Sequence, residues 1–464
     1  APRPRPAPLP AVPAPGAARA ALQQAEVAYG MSAGELQRLG VPALHDSGYT
    51  GSRVFVAMID DGFNYYKKNT ATRSTIVTSR TRDFIRGITD VQDTTDFDQS
   101  AFDHGEWTLS TIGANAPGIL VGPAYGATFA LARTENNDSE KPIEMVYWQM
   151  AAEWADSLGV DIISSSLGYN LFPDSSVVAG TDSSTNLTYD KLDGHTSIVT
   201  RAAEIAASRG MLVVVSAGND GQNASVGYKV GAPADANGDS VLAIAAVDSL
   251  GVRAAFSSKG PTVDGRIKPD LAAQGVRVWT AATNGDPNSY QTNSGTSFSC
   301  PLVAGLAACL WQARPTWTAV MVARALKETA SQATHPDTLL GYGIPNGAAA
   351  LKWIPDTATA PPVPAPLAFA LLGRNPVRAG DPPLRFAIGL PPDARPVAAR
   401  LDAFDAGGRR VRALWAGTIA AGERLATVSW TGDDDRGRAL PGGLYFLALT
   451  GGGHRSVLRI VLVR

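Results

Sequence analysis

At 464 residues the chain is too long for one ordinary hydrophobic core, so two or three domains are expected, and its 45% hydrophobic content suffices for a large one. Its 40 Lys and Arg nearly balance 42 Asp and Glu, without a long run of one sign, which argues against nucleic acid or an anionic membrane surface as partner. No uninterrupted apolar run reaches the length of about 18 residues that a membrane span needs.

Residues 1–28 are rich in Pro and Ala without hydrophobic periodicity and read as a disordered leader. An upstream targeting segment is expected to have been removed before Ala1. Residues 29–354 alternate short apolar runs with amphipathic stretches. Val54–Ile59 and Met211–Val215 read as buried strands. Between them, Ile143, Val146, Tyr147, Met150, Trp154 and Leu158 recur at helical spacing up to a stop at Gly159, and the strand Val160–Ile163 follows. A further helix carries Ile198, Ala202, Ile205 and Ala206 and ends at Gly210. This alternation predicts an α/β fold, a doubly wound and mostly parallel sheet whose ligands bind beyond the carboxyl ends of the strands. Cys300 and Cys309 stand nine residues apart in a helical segment, about 13 Å between Cα atoms, too far to pair. Residues 355–370 are a Pro-rich linker, and 371–464 hold strand-like pieces at 384–388, 398–404, 426–430 and 444–449 separated by Gly-rich turns. A C-terminal all-β sandwich is expected there.

Reactive side chains gather at predicted element ends. Asp60 closes the first strand and is followed by Asp61-Gly62. His104 precedes Gly105. Ser297 lies in Gly295-Thr296-Ser297-Phe298-Ser299-Cys300-Pro301, where Pro301 suits the first turn of a helix. A serine attacks an acyl group only when a base takes its proton, which imidazole does near neutral pH while a carboxylate orients it. The tetrahedral intermediate then needs donors for its oxyanion. Asn219, after the strand ending at Val215, offers an amide, and the Ser297 N–H is the expected second donor. Taken singly, an Asp-x-Gly is a turn and a serine at that place is a helix cap; the ordered set carries the chemical reading.

Across residues 45–352 these segments resemble the subtilisin-type serine proteases, the subtilases, in which the order is also Asp, His, Ser. Further matching pieces are Phe256 to Pro261, Lys268-Pro269-Asp270 and Arg314 to Thr318. The resemblance implies that Asp60, His104 and Ser297 form a catalytic triad, that Ser166-Leu167-Gly168 is the edge pairing with a peptide substrate, and that Ala217-Gly218-Asn219 walls the primary specificity pocket. It departs at Asp61, where the family has Ser or Thr, and after His104, where Glu106-Trp107-Thr108-Leu109 replaces Thr-His-Val-Ala. A Glu106 close to His104 would favour the charged imidazole. The family's calcium loop is not recognisable in 115–121, so structural calcium is unsupported there and no cofactor is required for the chemistry. Asp174, Asp182, Asp190 and Asp193 fall in a long polar segment that reads as a solvated loop rather than a metal site, and Asp270 reads as structural.

The C-terminal module resembles the immunoglobulin-like domain of a flagellar hook-assembly protein and of many secreted bacterial enzymes, through Asn375-Pro376, Asp405 to Val411, Trp430 to Gly437 and Gly443 to Phe446. It also resembles type IX secretion sorting domains, with a closing strand from Ser456 to Arg464. The resemblance implies secretion machinery or cell-surface attachment as partners. The function expected is a secreted, extracellular or surface-held bacterial serine endopeptidase acting on protein or peptide substrates, as a monomer. Its alternatives are a catalytically silent adhesion protein that keeps the fold, and a sedolisin, against which His104 and Asn219 argue.

Overall fold

The computed structural model describes residues 28–73, 80–92, 103–136, 141–170, 172, 186–354, 368–371, 377–378, 383–390, 396–420, 424–451 and 454–463. The leader before residue 28, Asp174, Asp182, residues 355–367 of the linker and Asn375-Pro376 lie outside the described residues. The chain divides into two compact units, Pro10–Pro355 and one containing Asp356–Arg464.

In the first unit seven strands form one sheet: β1 (Phe55–Asp60), β2 (Thr81–Asp83), β3 (Thr128–Arg133), β4 (Ile162–Ser165), β5 (Leu212–Ser216), β6 (Val241–Val247) and β7 (Leu271–Gln274). Their spatial order is β2-β3-β1-β4-β5-β6-β7, and each neighbouring pair is parallel. The chain leaves β1 for β3 on one side and later fills β4 to β7 on the other. The direction of winding reverses between β1 and β4, and in open α/β sheets ligands bind beyond the carboxyl ends of the strands at such a point.

Strand side chains alternate between the two faces, and both faces are dry. Val56, Met58, Ile162, Leu212 and Val214 belong to one core cluster, while Ala57, Ile59, Ile163, Val213 and Val215 belong to another. Helices α1 (His104–Gly113) and α4 (Thr296–Ala313) cover the first face; α2 (Ile143–Leu158) and α3 (Ile198–Ser208) cover the second. Helix α2 ends where its sequence predicts, on Gly159 at φ 83°, a left-handed conformation that favours glycine. Helix α3 starts on Ser197, whose hydroxyl accepts the Thr200 N–H at 3.0 Å.

Helix α4 is apolar all round because it is enclosed all round. Its 18 residues have a mean hydropathy of 1.2, enough by length and composition to cross a membrane, yet 89% of the helix is buried inside the protein. Both cysteines lie in it, buried and unpaired with each other. Pro301 is the sixth residue of α4 rather than part of its first turn. With no N–H of its own, it leaves the carbonyl of Ser297, four residues back, without its helical donor.

The second unit holds β-structure. One sheet comprises β10 (Ala368–Leu371), β12 (Leu384–Gly389) and β15 (Arg424–Trp430); the other comprises β11 (Val377–Arg378), β13 (Val397–Asp405), β14 (Arg410–Ile419), β16 (Gly443–Gly451) and β17 (His454–Val463). The numbers β8 and β9 belong to a hairpin of the first unit, Val278–Ala281 and Tyr290–Asn293. Phe386, Ile388 and Trp430 from the smaller sheet share a core with Leu401, Leu447, Leu449 and Ile460 from the larger, as in a β-sandwich.

Candidate active site

Five separate pieces of chain meet at the carboxyl edge of the sheet. Asp60 is the last residue of β1 and is fully buried. His104 opens α1, and its Nδ1 lies 2.6 Å from Asp60 Oδ1. Helix α1 can approach the end of β1 this closely because residue 105 is glycine: a Cβ there would come within 2.1 Å of the Gly62 carbonyl oxygen. Asp103, just before the helix, gives α1 no side-chain cap. That role falls to Asp61, whose Oδ1 accepts the Gly105 N–H at 3.0 Å. Asp61 thus ties the helix that carries His104 to the strand that ends in Asp60.

Ser297 is the second residue of α4, so its backbone N–H has no intrahelical acceptor. Its freed carbonyl accepts a hydrogen bond from Ser166 Oγ at 2.7 Å, and its own hydroxyl donates to the Ser166 carbonyl at 3.3 Å. The pair fastens the nucleophile candidate to the segment Ser166-Leu167-Gly168, which continues β4 beyond its last ladder pair. Leu167 is half-buried and Gly168 exposed, leaving this edge open. On the other side, Asn219 Oδ1 accepts from both the N–H (2.9 Å) and the hydroxyl (3.0 Å) of Thr296. With its oxygen engaged, the exposed Asn219 turns its amide nitrogen toward Gly295, where a Cβ would meet it at 3.5 Å. Thr296 Oγ1 also accepts the Gly218 N–H at 3.2 Å, and Ala217 is buried behind it.

The His104 ring stands between Trp107 and Phe298, with centroids at 6.2 and 5.9 Å. The latter contact brings the residue next to Ser297 against the imidazole. Burial works against charging His104, but the Asp60 carboxylate outweighs it by charge and by hydrogen bond, with help from Asp61 and Glu135, and raises its pKa to about 9. Glu106, two residues after His104, is not among these partners, so the condition under which it would favour the charged imidazole is not met. Its carboxyl is fully buried, Oε1 accepting from Thr72 Oγ1 at 2.8 Å and Oε2 having no partner among the described residues. Burial therefore holds it well above the usual carboxylate range, with the Thr72 bond opposing and Asp103 adding to the effect.

Among the described residues, one group offers three potential metal-binding side chains, Asp60, Asp61 and His104, with donor atoms within 4.8 Å of each other. These donors are engaged with one another and with the Gly105 N–H, the arrangement of an oriented base rather than an open chelate. The hairpin at 115–121 offers one side-chain oxygen, on Asn115, and does not fit a calcium ion. Elsewhere Asp270 sits in a buried pair with Lys268 at 2.6 Å, and Asp193 organises a turn by accepting the His195 and Thr196 N–H groups. Three site contacts were not singled out from sequence: Thr108 on Asp60, Thr296 on Asn219, and Glu135 facing His104. Only Thr108 carries a local signal, one helical turn after His104.

A model of the subtilase family matches residues 51–343. Subtilisin from Bacillus pumilus is 31% identical over 310 residues, covering 66% of this chain and 92% of that protein. Subtilisin BL from Lederbergia lenta is 28% identical over 319 residues, 68% of this chain and 97% of its own. Among solved structures, a protease from Pseudoalteromonas arctica has a TM-score of 0.53 at 23% identity, covering 71% of this chain and 99% of that one. MycP1 from Mycobacterium smegmatis has a TM-score of 0.51 at 22% identity, covering 72% and 87%. At these identities the two structures speak for the fold.

Proposed function

Since the chain belongs to the subtilase family and is a serine endopeptidase of the subtilisin type, we propose that it cleaves peptide bonds through an acyl-enzyme formed on Ser297. His104 takes the serine proton and returns it to the leaving amine. Asp60 holds the imidazole in the tautomer that leaves Nε2 free to do so. The Asn219 amide and the Ser297 N–H receive the oxyanion. A substrate strand lies along Ser166-Leu167-Gly168, with its side chain for the primary pocket beside Ala217-Gly218. This chemistry uses the chain's own side chains.

The observation that carries the reading is the 2.6 Å contact between His104 Nδ1 and a buried Asp60, with Phe298, the neighbour of Ser297, against the His104 ring at 5.9 Å. The Ser297 hydroxyl rests on the Ser166 carbonyl, and substrate entry is the step that turns it to His104, as catalytic bonds tighten only in the complex. Stoichiometric labelling by a fluorophosphonate probe, abolished by Ser297→Ala with the fold intact, tests the assignment. Absence of labelling in the folded parent would favour the silent adhesion protein. We further propose that residues 371–464 form an independent module serving export or surface attachment, and that the protein works outside the cell.

A further inference from the structure

We propose that Thr108 is a positioning residue of the catalytic pair, the donor that fixes the second oxygen of Asp60. The proposal rests on reading Asp60 and His104 as that pair.

A buried carboxylate that must hold an imidazole in one orientation needs both of its oxygens satisfied. Oδ1 of Asp60 accepts from His104 Nδ1 at 2.6 Å and from the Asp61 N–H at 3.0 Å. Oδ2 accepts from Thr108 Oγ1 at 2.8 Å, the bond to that oxygen among the described residues. Asp61 cannot supply this proton: its ionised side chain is an acceptor, and its Oδ1 already takes the Gly105 N–H. Thr108 is fully buried and stands four residues after His104, so one face of α1 delivers the base and the hydroxyl to the same carboxylate. The hydroxyl also lies 3.0 Å from the Gly105 carbonyl, but it has one proton, and the closer, charged Asp60 oxygen takes it.

This arrangement makes the orientation of Asp60 depend on a side chain carried by the helix of His104 itself. Rotation of the carboxylate would have to break the Thr108 bond and the His104 bond together. Removing the hydroxyl leaves Oδ2 buried without a donor and concentrates the carboxylate charge on the imidazole. The groups facing His104 are then still Asp60, Asp61 and Glu135, beside the apolar Trp107 and Phe298 rings.

Thr108→Val replaces the hydroxyl by a methyl of the same size. It is expected to lower kcat about tenfold or more with KM within about twofold, because the lost bond is to a charged group. It should also move the acid limb of the pH profile to higher pH. Thr108→Ser keeps the hydroxyl and is expected to stay within about twofold of the parent. A valine enzyme with parental kcat and an unmoved limb would overturn the proposal. So would a serine variant that loses about tenfold in kcat, since the methyl and not the hydroxyl would then matter. If Thr108→Val does not fold, the serine variant alone decides on that criterion. Asp60→Asn separates the underlying reading: full activity in that variant would remove the pair itself, whatever the Thr108 variants do.

Discussion

Glu106 is the departure from the family pattern with the most measurable consequence. It is fully buried two residues after His104, with Oε2 unpartnered among the described residues, and burial raises its pKa well above the usual carboxylate range. In the unfolded chain the same group ionises near pH 4.3. Above that pH the native state retains a proton that the unfolded state releases, so stability falls as pH rises until the native carboxyl also ionises. The slope is about 1.4 kcal/mol per pH unit over that interval. Glu106→Gln keeps the shape and has no proton to lose. Any misfit of the amide adds an offset independent of pH, whereas the ionisation effect vanishes near pH 4 and grows in favour of Gln above it. At about 2 °C per kcal/mol for a unit of this size, the difference in Tm should change by roughly 3 °C per pH unit. The measurement is scanning calorimetry at pH 4, 5, 6 and 7, with both proteins also carrying Ser297→Ala to prevent self-digestion. A Tm difference constant across that range would refute a protonated Glu106.

Activity should rise on the alkaline side of the ordinary histidine range, along a limb that extends toward about 9, because the Asp60 carboxylate retains the proton on His104 against its desolvation. A limb at or below 6.5 would show that this charge is not felt. The linked stability has the opposite sign: the raised pKa stabilises the fold fully below about 6.5 and ceases to do so as pH rises through about 9, which a pH series of melting curves will show. Asn219→Ala should lower kcat by about 100-fold or more with little change in KM, and a change confined to KM would assign Asn219 to substrate binding. A chain ending at Pro355 should keep kcat/KM on small peptides, since the proposed catalytic residues precede it and residues after it cluster in their own unit; a tenfold loss would place part of the machinery beyond that point.

The α/β class was legible because helix α2 and strands β1 and β5 carry undiluted signals: a 3.6-residue stripe ended by Gly159, and short continuous apolar runs. Strands β3, β6 and β7 were not singled out from their sequences. Their buried positions are filled largely by alanine, as at Ala130, Ala132, Ala243, Ala245, Ala272 and Ala273, which has little β-propensity and belongs there because helices pack closely on both faces. Strand β14 also passed unnoticed, its alternation masked by arginines and by a register shift opposite Leu401 and Asp402. At the site, Asp60, His104 and Ser297 stand out locally because each sits at an element end in a short motif. The Thr296–Asn219 bond joins residues 77 apart and leaves no local trace. Glu106 shows the complementary limit: proximity in sequence to His104 left open whether the two meet, and a helix turns a residue two positions on to another face.

The order of the chain also determines when the molecule becomes dangerous to its maker. Asp60 and His104 emerge early from the ribosome, yet Ser297 rides on α4, which packs against one face of a sheet that needs β7, at 271–274, for its last strand. A nascent chain that stops short of residue 297 lacks one of the three groups. Synthesis itself is thus a first safety catch: of the three proposed catalytic residues the proposed nucleophile is translated last, after all seven strands of the sheet on which α4 packs.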